Sequence, residues 1–95
     1  MQFITLSRRR TDKFSDADFA PHIPAETQQA RAFYAAGFIR QIWRRGDMPG
    51  ACILWEAESE QSVRDMLNKL PLVQAGMLEI LAVIPVNPYP GFCPA

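Results

Sequence analysis

The sequence predicts an α+β fold of the ferredoxin-like kind: a β-α-β-β-α-β order giving a four-stranded antiparallel sheet with both helices on one face. Three observations predict it. Two β-rich runs, Phe38 to Arg45 and Ala51 to Ala57, flank the turn-forming stretch Gly46-Asp47-Met48-Pro49-Gly50 and read as a hairpin. Apolar residues recur at helical spacing on either side of that hairpin. Strand-like runs open and close the pattern, from Gln2 to Arg8 and from Met77 to Ile84. A chain of 95 residues suits one domain with a single core, so residues 1–95 are read as one unit.

The first strand, Gln2 to Arg8, places Ile4 and Leu6 on one face and Phe3 and Thr5 on the other. Ser15 with Asp18 resembles a capping box opening a short helical turn from Asp16, and Pro21 and Pro24 predict a break before a second segment. That segment takes Pro24 in its first turn, runs through Ala30, Phe33 and Tyr34, and uses Gly37 as its C-cap. After the hairpin, Ser59 is a natural N-cap with Glu60 at the positive end of the helix dipole. Val63, Met66, Leu67 and Leu70 form the apolar stripe, and Pro71 is the expected stop. The last strand, Met77 to Ile84, is apolar on both faces except at Glu79, which suits a strand covered on both sides.

The hairpin strands carry the same message. Phe38 and Ile42 read onto one side and Ile39 and Trp43 onto the other, with Leu54 opposing Ile53 and Trp55. A sheet apolar on its open face exceeds what a soluble monomer normally exposes, so a second sheet is expected to pack there, as in a dimeric α/β barrel. The alternative is that the tail covers that face. Residues 85–95 are rich in proline, so this tail is expected to be extended and to lie against a neighbouring subunit through Tyr89 and Phe92.

The 10 basic and 10 acidic residues cancel, leaving no overall field to gather nucleic acid or an anionic membrane. The runs Arg8-Arg9-Arg10 and Arg44-Arg45 read as solvated or salt-bridged strand ends. No apolar run approaches membrane-spanning length, and the first residues enter a strand pattern without a signal-peptide core, so a cytoplasmic protein is expected. Cys52 and Cys93 match neither a CxxC motif nor a metal-ligand spacing and read as reduced thiols. No phosphate loop, nucleophile elbow or dinucleotide fingerprint is present in the sequence.

Three stretches carry a family resemblance: Ala25-Glu26 through Gly37 followed by Ile39-Arg40-Gln41-Ile42-Trp43-Arg44; Glu58-Ser59 with Leu70-Pro71-Leu72; and Met77 to Pro88. Together they resemble the muconolactone isomerase family across almost the whole chain. The resemblance implies a homodimeric α/β barrel, often built into larger rings. It implies a cofactor-free isomerase that moves a proton within an unsaturated lactone during aromatic catabolism. The family's glutamate, glycine and arginines fit Glu26, Gly37, Arg40 and Arg44, whereas Val86 and Asn87 stand where a basic residue and a histidine are usual. Two other readings share the fold: a cofactor-independent oxygenase or YciI-like enzyme, and a non-catalytic small-ligand-binding oligomer.

Proton transfer next to a carbonyl needs a base, a group that stabilises the enolate and exclusion of water. Glu26 is the candidate base, because a helix from about residue 23 puts it on the face of Ala30 and Phe33. Its alternative is a first-turn glutamate that complements the helix dipole in solvent. His22, the single histidine, stands four residues earlier and shares that proton if the turn is helical through Pro24; otherwise it is a capping or surface residue. Arg40, between Phe38 and Ile42, needs an anionic partner, either a substrate carboxylate or Glu56 on the next strand. Arg44 has the same choice nearer the strand end. Tyr34 and Trp43 are candidates to wall an aromatic-derived ligand, or plain core residues, as is Trp55. Cys52, with no activating neighbour in sequence, reads as a small buried residue.

Overall fold

A computed structural model of the protein describes residues 1–91, so Phe92 and Cys93 and the last part of the expected tail lie outside the described residues. Strands β1 (Gln2–Arg9), β2 (Ile39–Arg44), β3 (Ala51–Glu56) and β4 (Leu78–Val86) form one antiparallel sheet of order β2-β3-β1-β4. Two longer helices, α2 (Ile23–Ala35) and α3 (Glu60–Leu67), and two single-turn helices, α1 (Asp16–Phe19) and α4 (Pro71–Gln74), complete it. The ferredoxin-like α+β order is therefore present, with two extra helical turns.

The core lies between helices and sheet. Phe3, Ile39, Ile53 and Trp55 from the strands meet Phe33 of α2 and Val63, Met66 and Leu67 of α3. Trp55 is fully buried, and its Nε1–H donates to Thr5 Oγ1 at 2.8 Å, so its polar atom is satisfied without water. Phe33 meets the Trp55 ring edge-on at 5.8 Å. A smaller cluster of Phe19, Leu72 and Met77 closes the end where α1 and α4 meet.

Local chemistry explains the helix ends. Ser15 and Asp18 form the full capping box that opens α1. Gly37, at φ +87°, ends α2 in a Schellman motif: the Phe38 N–H donates to the Phe33 carbonyl and the Gly37 N–H to that of Tyr34. Ser59 caps α3 by accepting from the Ser62 N–H.

One expectation holds and two are corrected. The break before the second helix is present as a 3-10 turn, Ala20–His22, which joins α1 to α2 with Pro21 and Pro24 each in the first turn of a segment, where no N–H is needed. Pro71 is not the stop of α3, which ends at Leu67 with Asn68 as its C-cap; Pro71 instead opens another helix, α4, for the same reason. The side-chain alternation of β2 is broken by a bulge, since Ile39 pairs with Trp55 but Gln41 with Leu54, leaving Arg40 as the extra residue. Ile39 and Ile42, the partners of Trp55 and Ile53, therefore share the helix-covered face instead of opposing one another. A second bulge sets Leu81 out of register in β4, between Ile80, paired with Ser7, and Ala82, paired with Leu6.

Candidate functional site

Between α2 and the sheet lies a cavity of about 470 Å³, walled by Ala30, Ile39, Ile42, Ile53, Leu67 and Leu72 among other apolar side chains. Helical spacing brings Glu26, Thr27, Arg31 and Tyr34 of α2 to it. The strands contribute Thr5, Ser7 and Arg9 from β1 and Trp43 and Arg44 from β2. An apolar chamber with a few convergent polar groups is the form small-molecule sites take.

Glu26 is half-buried at this cavity, and its Oε1 accepts from the Leu72 N–H at 2.9 Å. That donor stands in the first turn of α4, so a free helix amide holds the carboxylate. Burial pushes the Glu26 carboxyl above its ordinary range; the Leu72 N–H and the positive charges of Arg9 and His22 act in the opposite sense. His22 ends the 3-10 turn and is not part of the cavity lining, yet its charge acts on Glu26 one helical turn on. The continuous helical path through Pro24 supplies that spacing.

Tyr34, Trp43 and Arg44 all line the cavity. Arg40 does not: it is the bulge residue of β2 and is exposed. The alternative Arg40–Glu56 pair is not formed, because Glu56 meets the N-terminal ammonium at 3.1 Å. Cys52 is a half-buried free thiol paired in register with Leu6 and Trp43.

Two cavity residues escape the sequence reading, Arg9 and Arg31. The signal for Arg9 was strand alternation, which splits a run of three arginines between two faces. Arg8 and Arg10 both reach Glu79, at 3.0 and 3.4 Å, while Arg9 lies at the cavity with its guanidinium 5.5 Å from the centre of the Phe19 ring. Arg31 stands one helical turn from both Thr27 and Tyr34 on the same stripe of α2.

A split-βαβ sheet with a mostly apolar cavity under its helices, holding a carboxyl and several guanidinium groups, defines an α+β protein with a cavity of the form that small-molecule sites take. The chain belongs to the muconolactone delta-isomerase family, whose sequence model matches residues 1–91. Among solved structures, that of a muconolactone isomerase superposes with a TM-score of 0.81 at 19% identity, covering 100% of this chain and 97% of that one. The 5-chloro-2-hydroxyhydroquinone dehydrochlorinase of Burkholderia phenoliruptrix, solved with 2,5-dihydroxybenzoquinone, gives a TM-score of 0.68 at 22% identity over 88% of this chain and 89% of that one. A search of curated proteins finds no match. Among the described residues no helix is long and apolar enough to cross a membrane.

Proposed function

We propose that this protein is a small-molecule catabolic enzyme, a cofactor-free isomerase that moves a proton within a small unsaturated lactone or related carboxylate. Family membership supports the reaction class, and one observation carries the assignment: a partly buried carboxyl, Glu26, held by a helix amide at the wall of an apolar cavity. Glu26 takes a proton from carbon adjacent to the conjugated lactone system, leaving a dienolate, and returns it to another carbon of that system. No electron pair leaves the substrate, and the carboxylate is regenerated. Burial, by holding its pKa up, makes Glu26 the better proton acceptor. His22 is the neighbouring group for exchange of that proton with solvent. Arg44 takes the substrate carboxylate, and Tyr34 and Trp43 flank the ring. Arg40 lies outside this cavity and has no part in it.

We place the working unit as a homodimer, since the sheet face away from the helices exposes Leu81 and Ile84 at 45% and 49%. The test of the chemistry is deuterium exchange from solvent into muconolactone, followed by NMR. Glu26→Gln should abolish exchange while leaving the circular dichroism unchanged; undiminished exchange would remove Glu26 from the mechanism. A second reading, a ligand-binding oligomer in which Glu26 serves only to cap α4, is favoured by the Leu72 bond itself. Thermal stabilisation by small lactones without any exchange would select it. Oxygen consumption with an aromatic substrate would instead select the oxygenase.

A further inference from the structure

We infer that Arg9 is a catalytic residue, the cation that stabilises the enolate oxygen when Glu26 removes the proton, whereas Arg31 and Arg44 bind the substrate's carboxylate. The inference rests on the isomerase reading above and assigns parts to three arginines of the same cavity.

The arginines of this chain differ in their partners. Arg8, Arg10, Arg45 and Arg64 all have carboxylate partners, at 3.0, 3.4, 2.7 and 3.0 Å. Arg9, Arg31 and Arg44 line the cavity and form no ion pair or side-chain hydrogen bond among the described residues. A cation left unpaired beside apolar walls is costly unless an anion arrives. That cost falls on Arg9, which is half-buried, and with Arg31 and Arg44 at the rim of the same cavity the three guanidinium groups favour negative charge there.

They are not equivalent. Arg31 and Arg44 are exposed, one on α2 and one at the end of β2, where a carboxylate can be received directly from water. Arg9 is half-buried, with its backbone fixed by an N–H bond to the Pro49 carbonyl and its guanidinium resting on Phe19. Its charge acts on Glu26 without forming an ion pair with it, and both groups line the same cavity.

The chemistry then separates the roles. A bound lactone carbonyl is neutral and its enolate oxygen is charged, so a preorganised guanidinium beside it is worth more in the transition state than in the ground state. The carboxylate carries the same charge throughout, so its partners act on binding alike in both states.

The experiment is steady-state deuterium exchange into muconolactone by the intact protein, with the fold of each variant followed by circular dichroism. Arg9→Met should lower kcat by about 10²–10³-fold with KM within a few-fold of the parent, the loss expected for one enolate-stabilising donor. Arg9→Lys, which keeps the charge, should recover most of that rate. Arg31→Met and Arg44→Met should raise KM with kcat nearly unchanged, and should lose that effect when the methyl ester replaces the free acid. A folded Arg9→Met protein with parental kcat overturns the assignment while leaving Glu26 as the base. A folded Arg9→Lys protein as slow as Arg9→Met also overturns it, assigning the loss to packing on Phe19. Absence of exchange by the parent protein across a panel of unsaturated lactone carboxylates overturns the isomerase reading, and the role of Arg9 falls with it.

Discussion

Removing the Glu26 carboxylate in two different ways separates its structural from its chemical role. The Oε1 atom accepts from the Leu72 N–H at 2.9 Å, and Leu72 is only 1% exposed, so that amide has little access to water as a replacement partner. Glu26→Ala leaves a buried donor unsatisfied, at a cost of roughly 1–3 kcal/mol. For a domain of this size each kcal/mol moves Tm by about 4–8 °C, so the alanine variant should melt lower by something between about 4 and 24 °C. Glu26→Gln keeps an oxygen in place and should lose much less. The pH dependence has a definite sign. Because burial raises the Glu26 pKa, the folded state holds its proton more tightly than the unfolded chain, and wild-type stability should fall as pH rises from the ordinary glutamate range through the folded value. Gln has no such proton, so the difference between Gln and wild type should move in favour of Gln between about pH 4 and pH 7. Urea denaturation at both pH values, followed by tryptophan fluorescence at fixed protein concentration, measures all three proteins. An alanine variant as stable as wild type would refute the hydrogen-bond argument, and a Gln-to-wild-type difference independent of pH would refute the raised pKa.

Other perturbations follow from the core and the turns. Thr5→Val keeps the side-chain volume but removes the acceptor of the buried Trp55 N–H, and should cost about 1–3 kcal/mol in urea denaturation, with Thr5→Ser closer to wild type. Gly50→Ala forces a methyl group onto the Ser7 carbonyl oxygen and the Arg8 backbone, so it should lose at least about 1–3 kcal/mol and speed hydrogen exchange at the Arg9 and Arg45 amides. Ser59→Ala removes the N-cap of α3 and should lower stability by about 1 kcal/mol, measurable as a shifted denaturation midpoint.

The features legible in the sequence are those that local chemistry decides. A glycine three residues past Tyr34, a serine before Glu60 and a proline-glycine loop between β-rich runs each admit few backbone conformations, and the structure uses them as read. The bulge in β2 was not legible by alternation, because period-two reading sends Ile39 and Ile42 to opposite faces. Their spacing of three within a strand was the only trace of it, and what fixes it is the pairing of Ile39 with Trp55 and Ile42 with Ile53, a non-local choice. The site divides in the same way. Glu26 was readable because helix periodicity ties it to Ala30 and Phe33. Arg9 was masked by its neighbours, since a run of three arginines reads as one solvated patch until Glu79, some seventy residues away in sequence, claims the outer two.

The two bulges also decide where a second copy should sit. Each inserts one residue into an edge strand, Arg40 in β2 and Leu81 in β4, and shifts the residues beyond it to the other face. On the face away from the helices, β2 consequently presents Arg40 and Gln41, both exposed, with Trp43 beyond them in register with Cys52 and Leu6, whereas β1 and β4 present Ile4, Leu6, Ala82 and Ile84 beside Leu81. The apolar surface is therefore not spread evenly across the sheet as alternation alone suggested; it is centred on β1 and β4, and β2 is polar at Arg40 and Gln41 but apolar at Trp43. A dimer that hides this surface must pack over β4, and charges placed there should oppose it while changes at Arg40 and Gln41 should not. Leu81→Lys with Ile84→Lys should convert a dimer in sedimentation velocity at micromolar concentration to a folded monomer, and Arg40→Ala with Gln41→Ala should leave the dimer intact. Dissociation by the β2 pair with persistence in the β4 pair would invert the placement. A wild-type chain that sediments as a monomer would show that this face is open to water by design, and the cavity beneath the helices would then have to function in a single subunit.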